Sequence, residues 1–474
     1  MVLLILVSLF SCASGNDKHE NIGNVDAQTV ASPAYDSSLA KGSVIDPVIC
    51  NSDRSQSYAL YLPSYYRSDR SYPCIYFYDA HARGVMPVRL YKNIAEKYGF
   101  VLIGSNVSKN GITWEVTNNT VKILMEDNRR RINIDAKRIY TSGFSGGARV
   151  ASSIAITDGG IAGVIGCAAG FPKLQEAFEH KFDYVGMVGE ADFNLTEMTQ
   201  LDEQLEQKGF MHQLLTYNGK HGWPPATDFE TALLWMHVNA MKAHLQHTND
   251  TIVNDLKKAM TKRITAATKL INLVTARQLI EGIIRMLDGL TDISSYKKQL
   301  VELTASAAYK KGVITQQQLE QQEANTQQEF AKQFPAQTLQ WWTDKIAELN
   351  KTIHIARSKQ VAQMNQRVLN YLGLISYMYS DHALKSDDLV NADNYLKIFL
   401  TADPANPDCH YLRAVYYVKK RDNANALTEL GKATDAGYND LEQLLSETAF
   451  YSLQSDTRFE KIRDSVKENL VLNK

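Results

Sequence analysis

Between residues 57 and 217, seven short apolar runs alternate with longer amphipathic segments. No other feature of the chain narrows its possible folds so far. The runs are SYALYLP (57–63), PCIYFYDA (73–80), FVLIGSN (100–106), RIYTSG (138–143), GVIGCAAG (163–170), FDYVGMVGE (182–190) and HQLLTY (212–217). Most lack the polar alternation of a strand with one wet face, so they read as strands covered on both sides. Between them, segments such as VRLYKNIAEKYG (88–99), NTVKILMEDNRRR (119–131) and LDEQLEQKG (201–209) carry apolar residues at helical spacing. Strands alternating with helices predict an α/β domain over 43–245, a mostly parallel sheet with helices on both faces. The leading pair of strands, joined around NSDRSQ, suits an antiparallel start.

Near residue 245 the strand pattern stops. Leu256, Met260, Ile264, Ala267, Ile271 and Val274 recur every three or four residues, as do Trp342, Ile346, Leu349 and Ile353, so 246–360 reads as helical. Residues 314–333 are glutamine-rich and polar, suited to a solvated helix or a loop. Ala392 and Ala426 lie 34 residues apart, each with a leucine four positions on and a tyrosine-rich helix upstream, YLGLISYMY (371–379) and YLRAVYYV (411–418). Residues 361–474 thereby resemble tetratricopeptide repeats, helix pairs of this period with small residues where helices cross. Such an all-helical half is expected to offer a concave surface to a protein partner or a polymer. At 474 residues the chain is long enough for more than one core.

The amino terminus, MVLLILVSLFSC, holds an apolar run from Val2 to Phe10 that is too short to span a bilayer. It resembles the signal segment of a bacterial lipoprotein (1–12), which implies cleavage that leaves Cys12 as the lipidated first residue of an exported protein of the cell envelope, one that meets the membrane only through its anchor. Residues 13–42, rich in Ser, Asn, Asp, Gly and Ala, read as a flexible tether. Lysine plus arginine total 51 against 52 acidic residues, so the basic excess of a nucleic-acid binder is missing. The five cysteines match no zinc spacing; a Cys50–Cys74 disulfide is open to an exported chain.

Chemistry concentrates at IYTSGFSGGARVAS (139–152), where a strand gives way to a helix through G-x-S-x-G. Such an elbow lifts a serine, here Ser145, above the sheet edge. It also leaves the Gly146 N–H at the helix start, free to meet developing negative charge. A serine hydroxyl needs a base, and the base needs a carboxylate. EADFN (190–194) follows one apolar run and NGKHGWPP (218–225) follows the last. His221 is thus the candidate base. Asp192 is the candidate acid by loop position, with Glu190 its competitor. A second oxyanion donor is expected from YDAHARG (78–84), the N–H of Ala80 or His81. Asp79 and His81 are too few to make a metal site. Trp114 and Trp223 are candidates for an aromatic wall that binds substrate.

With GFSGG, EADFN and GKHGWPP in that order, and LYLPSYYRSDRSYPCIYFYDAH (60–81) ahead of them, residues 43–245 resemble the α/β-hydrolase superfamily. Within it they are similar to exported esterases akin to feruloyl esterases and polyhydroxybutyrate depolymerases. The resemblance implies Ser145 as nucleophile, Asp192 as acid and His221 as base, with an oxyanion hole from Gly146 and the third-strand loop. It implies an ester-bearing small molecule or polymer as substrate, and no metal or organic cofactor. A peptidase would use the same three residues, and a lipid-anchored scaffold with a relic site is the non-catalytic alternative. One departure stands out: many relatives carry a His-Gly pair where this chain has Asp79 and Ala80.

Overall fold

The computed structural model describes residues 35–172, 178 and 180–472. Cys12 and most of the expected tether lie outside the described residues. The tether's last part is already bound to the fold: Asp36 pairs with Arg131 at 3.0 Å, and the Gly42 N–H bonds the Leu62 carbonyl at 2.8 Å.

Eight strands form one sheet: β1 (Val44–Ile49), β2 (Ser57–Tyr61), β3 (Tyr72–Tyr78), β4 (Val101–Ser105), β5 (Ile134–Phe144), β6 (Gly163–Cys167), β7 (Asp183–Gly189) and β8 (His212–Tyr217). Their order across the sheet is β1-β2-β4-β3-β5-β6-β7-β8. β2 runs antiparallel to β1 and β4, and every other pairing is parallel. Helices α1 (Val85–Tyr98), α2 (Trp114–Arg131), α3 (Gly146–Thr157) and α4 (Leu195–Gln207) connect strands, and α5 (Ala226–Lys242) follows β8. This is the α/β-hydrolase arrangement expected for 43–245. β3, β4 and β6 are buried along their whole length, which is why their sequences are continuously apolar.

The strand order fixes where a site can form. The chain leaves β3 toward β4 on one side and returns to β5 on the other, so the strand order reverses at β3. A crevice opens beyond the carboxyl ends of strands at such a switch point. Tyr78, ending β3, lies beside Gly143 near the end of β5, and the β3 loop and Ser145 therefore share that crevice.

Successive side chains of β3 divide between two apolar clusters. Tyr76 and Tyr78 pack with Val121 and Leu124 of α2 and Ile154 of α3. Ile75 and Phe77 pack with Tyr91 of α1 and Phe229 and Leu233 of α5. The second cluster does not stop at 245. It continues into α6 (Asp250–Lys269) and α7 (Leu273–Leu287) through Leu256, Met260, Ile264, Ile280, Ile283 and Met286. Each is at most 3 % exposed, so each contributes about 1.5–3 kcal/mol of burial.

Beyond these come α8 (Ser294–Ala305), α9 (Ala307–Gln333), α10 (Leu339–Ile355), α11 (Lys359–Lys385), α12 (Leu389–Ala402), α13 (Pro407–Lys419), α14 (Asn423–Asp435), α15 (Leu441–Ser446) and α16 (Thr457–Leu472). The glutamine-rich stretch lies in α9, a largely solvated helix. Ala392 and Ala426 are fully buried on α12 and α14. The repeat extends to the caps: Asp388 and Asp422, 34 residues apart, each accept a hydrogen bond from the backbone N–H three residues on. Cys50, Cys74, Cys167 and Cys409 are buried and free, so Cys50 and Cys74 are not bridged. Among the described residues, no helix is long and apolar enough to cross a membrane.

Candidate active site

Ser145 sits between β5 and α3 with φ 55° and ψ −120°. A non-glycine residue in this region is strained, and the surroundings hold it there. Its N–H bonds the Cys167 carbonyl at 2.9 Å, and its own carbonyl accepts from the Ala148 N–H at 3.0 Å. Gly147 allows the tight fit behind it: a Cβ there would lie 2.0 Å from the Tyr78 carbonyl oxygen. The elbow is thus wedged against the end of β3.

His221, in the loop after β8, places Nε2 3.0 Å from the Ser145 Oγ. Its Nδ1 lies 3.0 and 3.1 Å from the two carboxylate oxygens of Asp192, in the loop after β7. With the proton on Nδ1, the Nε2 lone pair faces the serine hydroxyl. Asp192 is fully buried while the imidazole is 22 % exposed, so the carboxylate is shielded and the base is reachable. Asp192 also accepts the Asn194 N–H at 2.9 Å, which fixes its orientation. Phe193 stacks on the imidazole at 4.4 Å between ring centres, and Phe144 lies 4.8 Å from it on a tilt. The competing acid, Glu190, is bound elsewhere: Lys359 and Gln363 of α11 both reach its carboxylate.

Of the two expected second donors, His81 is already committed. Its N–H is donated to Asp79 Oδ1 at 2.9 Å, because an aspartate side chain readily bonds the backbone two residues on. Of the two, that leaves the Ala80 N–H as the candidate donor. Asp79 is fully buried and takes two further hydrogen bonds from Arg83, at 2.9 and 3.2 Å, and one from Trp223 Nε1 at 2.9 Å. Burial alone would raise the Asp79 pKa; the Arg83 charge and its hydrogen bonds outweigh this and hold it below the usual carboxylate range.

Trp223 is held in place and half-buried. Its N–H is spent on Asp79, and its ring packs with Phe77, Tyr91 and Phe144. Trp114 is 40 % exposed at the start of α2 and, among the described residues, takes no part in the ring contacts around His221. Asn110 is a residue that sequence reasoning missed. A Cβ on Gly146 would fall 1.7 Å from Asn110 Oδ1, so this side chain packs against the Cα of Gly146. The Asn110 N–H bonds the Ala80 carbonyl at 2.9 Å, tying the loops after β3 and β4 together.

No family model matches the sequence, and no curated protein matches it. Solved structures do resemble part of the chain. The S-formylglutathione hydrolase FrmB of Staphylococcus aureus is 14 % identical over 38 % of this chain and 92 % of its own, with a TM-score of 0.33. A ferulic acid esterase is 16 % identical over 41 % and 95 %, at 0.34. A fungal esterase from Rhizomucor miehei is 12 % identical over 44 % and 87 %, at 0.35. At such identities and scores they say nothing about substrate.

Proposed function

We propose that this chain is a serine hydrolase that cleaves carboxylic esters, with Ser145 as nucleophile, His221 as base and Asp192 as the group that orients it. The observation that carries this reading is the unbroken hydrogen-bonded line from the Ser145 hydroxyl through both ring nitrogens of His221 to a buried carboxylate. Ser145 Oγ attacks the ester carbonyl carbon while its proton passes to Nε2. The new oxyanion takes hydrogen bonds from the Gly146 N–H and the Ala80 N–H, each such donor being worth about 3–4 kcal/mol in the transition state. Asp192 stabilises the imidazolium. Collapse breaks the bond to the leaving alcohol, which receives the proton from Nε2. Water, activated by the same imidazole, then releases the acid and regenerates the serine. The apolar leader supports export with a lipid on Cys12, which would confine the substrate to small esters or polymer ends within reach of an envelope surface.

Treatment with a fluorophosphonate, followed by mass mapping, tests the chemistry. Expected is a label on Ser145 that His221→Ala abolishes, together with hydrolysis of p-nitrophenyl acetate. A panel of feruloyl esters and peptides then ranks the leaving groups. A folded, full-length protein that takes no label at Ser145 would leave the scaffold reading in place of the enzyme.

A further inference from the structure

Four loops at the carboxyl ends of the strands, two of them carrying Asp192 and His221, are bonded to the helical region. After β3, His81 pairs with Asp440 at 3.3 Å. After β4, Lys109 pairs with Glu442 at 2.9 Å. After β7, Arg367 Nη1 donates to the Glu190 carbonyl at 3.0 Å and Asn370 Nδ2 to the Ala191 carbonyl at 2.6 Å. After β8, Lys220 pairs with Asp403 at 3.4 Å.

A further contact reaches into the site instead of ending at its rim. Asn439, between α14 and α15, accepts a 2.7 Å hydrogen bond from Arg83 Nη1. The remaining arms of the same guanidinium, Nε and Nη2, grip Asp79. Asp79 in turn holds the His81 N–H, and so the loop that contains Ala80. It also holds Trp223, two residues beyond His221, whose ring meets Phe144 just before Ser145. One buried carboxylate thus fixes the oxyanion loop and the histidine loop together. Its guanidinium partner is aimed by an amide from the far end of the chain. Arginine suits this post because its donors form a rigid planar fork, which a lysine ammonium cannot reproduce.

We propose that Asn439 and Arg83 are positioning residues, through which the helical region sets the geometry of the oxyanion and histidine loops. The helical region is then a working part of the active site as well as any surface it offers to a partner. This rests on the hydrolase reading above. Asn439 and Arg83 act through Asp79 and need touch no substrate. Small misplacements of an oxyanion donor are costly because its hydrogen bond strengthens only as the transition state forms.

The test uses the full-length protein and four chains: wild type, Asn439→Ala, Asn439→Asp and Arg83→Lys. Measured are the rate of fluorophosphonate labelling at Ser145, kcat and KM for p-nitrophenyl acetate, and the thermal midpoint. Asn439→Ala and Arg83→Lys should each slow labelling and kcat by about tenfold or more, with KM changed by less than about twofold. Asn439→Asp, which still offers an oxygen to Arg83, should recover most of the wild-type rate. Wild-type rates in both Asn439→Ala and Arg83→Lys would overturn the proposal. A lowered thermal midpoint with unchanged labelling would also overturn it, by making the link purely structural. Absence of labelling in the wild type would fail the hydrolase reading instead.

Discussion

Asp192→Asn isolates what the buried carboxylate does, because it changes charge and proton count at nearly constant volume. The wild-type carboxylate serves two donors at once, the Asn194 N–H at 2.9 Å and His221 Nδ1 at 3.0 and 3.1 Å. An asparagine has one oxygen and one NH2. With its oxygen kept on the Asn194 N–H, its NH2 faces Nδ1 and turns that nitrogen into an acceptor. The imidazole proton then moves to Nε2, 3.0 Å from the serine oxygen. Nothing remains there to take the Ser145 proton. Loss of the correct tautomer in a serine triad costs about 10⁴-fold in kcat, or about 5 kcal/mol of barrier. The assay is kcat for p-nitrophenyl acetate beside the fluorophosphonate labelling rate. Glu190→Gln is the control and should stay within about threefold, since α11 already occupies that carboxylate. An Asp192→Asn protein within tenfold of wild type, or a Glu190→Gln protein as impaired as Asp192→Asn, would refute the reasoning.

Two further outcomes follow from the geometry. Gly146→Ala should slow labelling by about tenfold or more, because its Cβ would collide with Asn110 Oδ1, and adding Asn110→Gly should restore part of the rate; a fully active Gly146→Ala protein would show that this contact is slack. Burial beneath α5 pushes the Asp183 carboxyl up to about 7, with Asn239 and Lys242 only partly opposing it. Between about pH 4 and 7 the folded chain therefore holds a proton that the unfolded chain has released, so this residue costs stability as pH rises through that window. Asp183→Asn should raise the thermal midpoint more at pH 8 than at pH 5, and an equal difference at both would contradict that.

The fold was legible because its strands are covered on both faces, and burial writes itself into sequence as unbroken apolar runs. β3 and β6 are the plainest cases. The three residues aligned by hydrogen bonds were legible too, since each follows a strand and the elbow glycines mark a tight turn. Other features depended on side chains brought together from far apart. Asn110 lies against Gly146, 36 positions on, and Asn439 bonds Arg83, 356 positions away, and no local pattern couples residues so far apart. Phe193 stacks on His221 only because the acid loop folds back over the imidazole. The commitment of the His81 N–H could have been read from Asp79 two residues earlier, a spacing that favours a side chain to backbone bond. For α6 and α7, helical periodicity announced a buried face without naming what would cover it.

That covering surface has a consequence for how such a chain can be inherited. Leu256, Met260, Ile264, Ile280, Ile283 and Met286 join the cluster that holds Phe77, Tyr91 and Phe229. An ancestor ending near 245 would have left a broad greasy face in water, at about 1.5–3 kcal/mol for each large side chain. Recombination that shuffled helical tails onto this sheet would thus have kept everything through Ile293, and crossovers upstream of that point would leave an orphaned core.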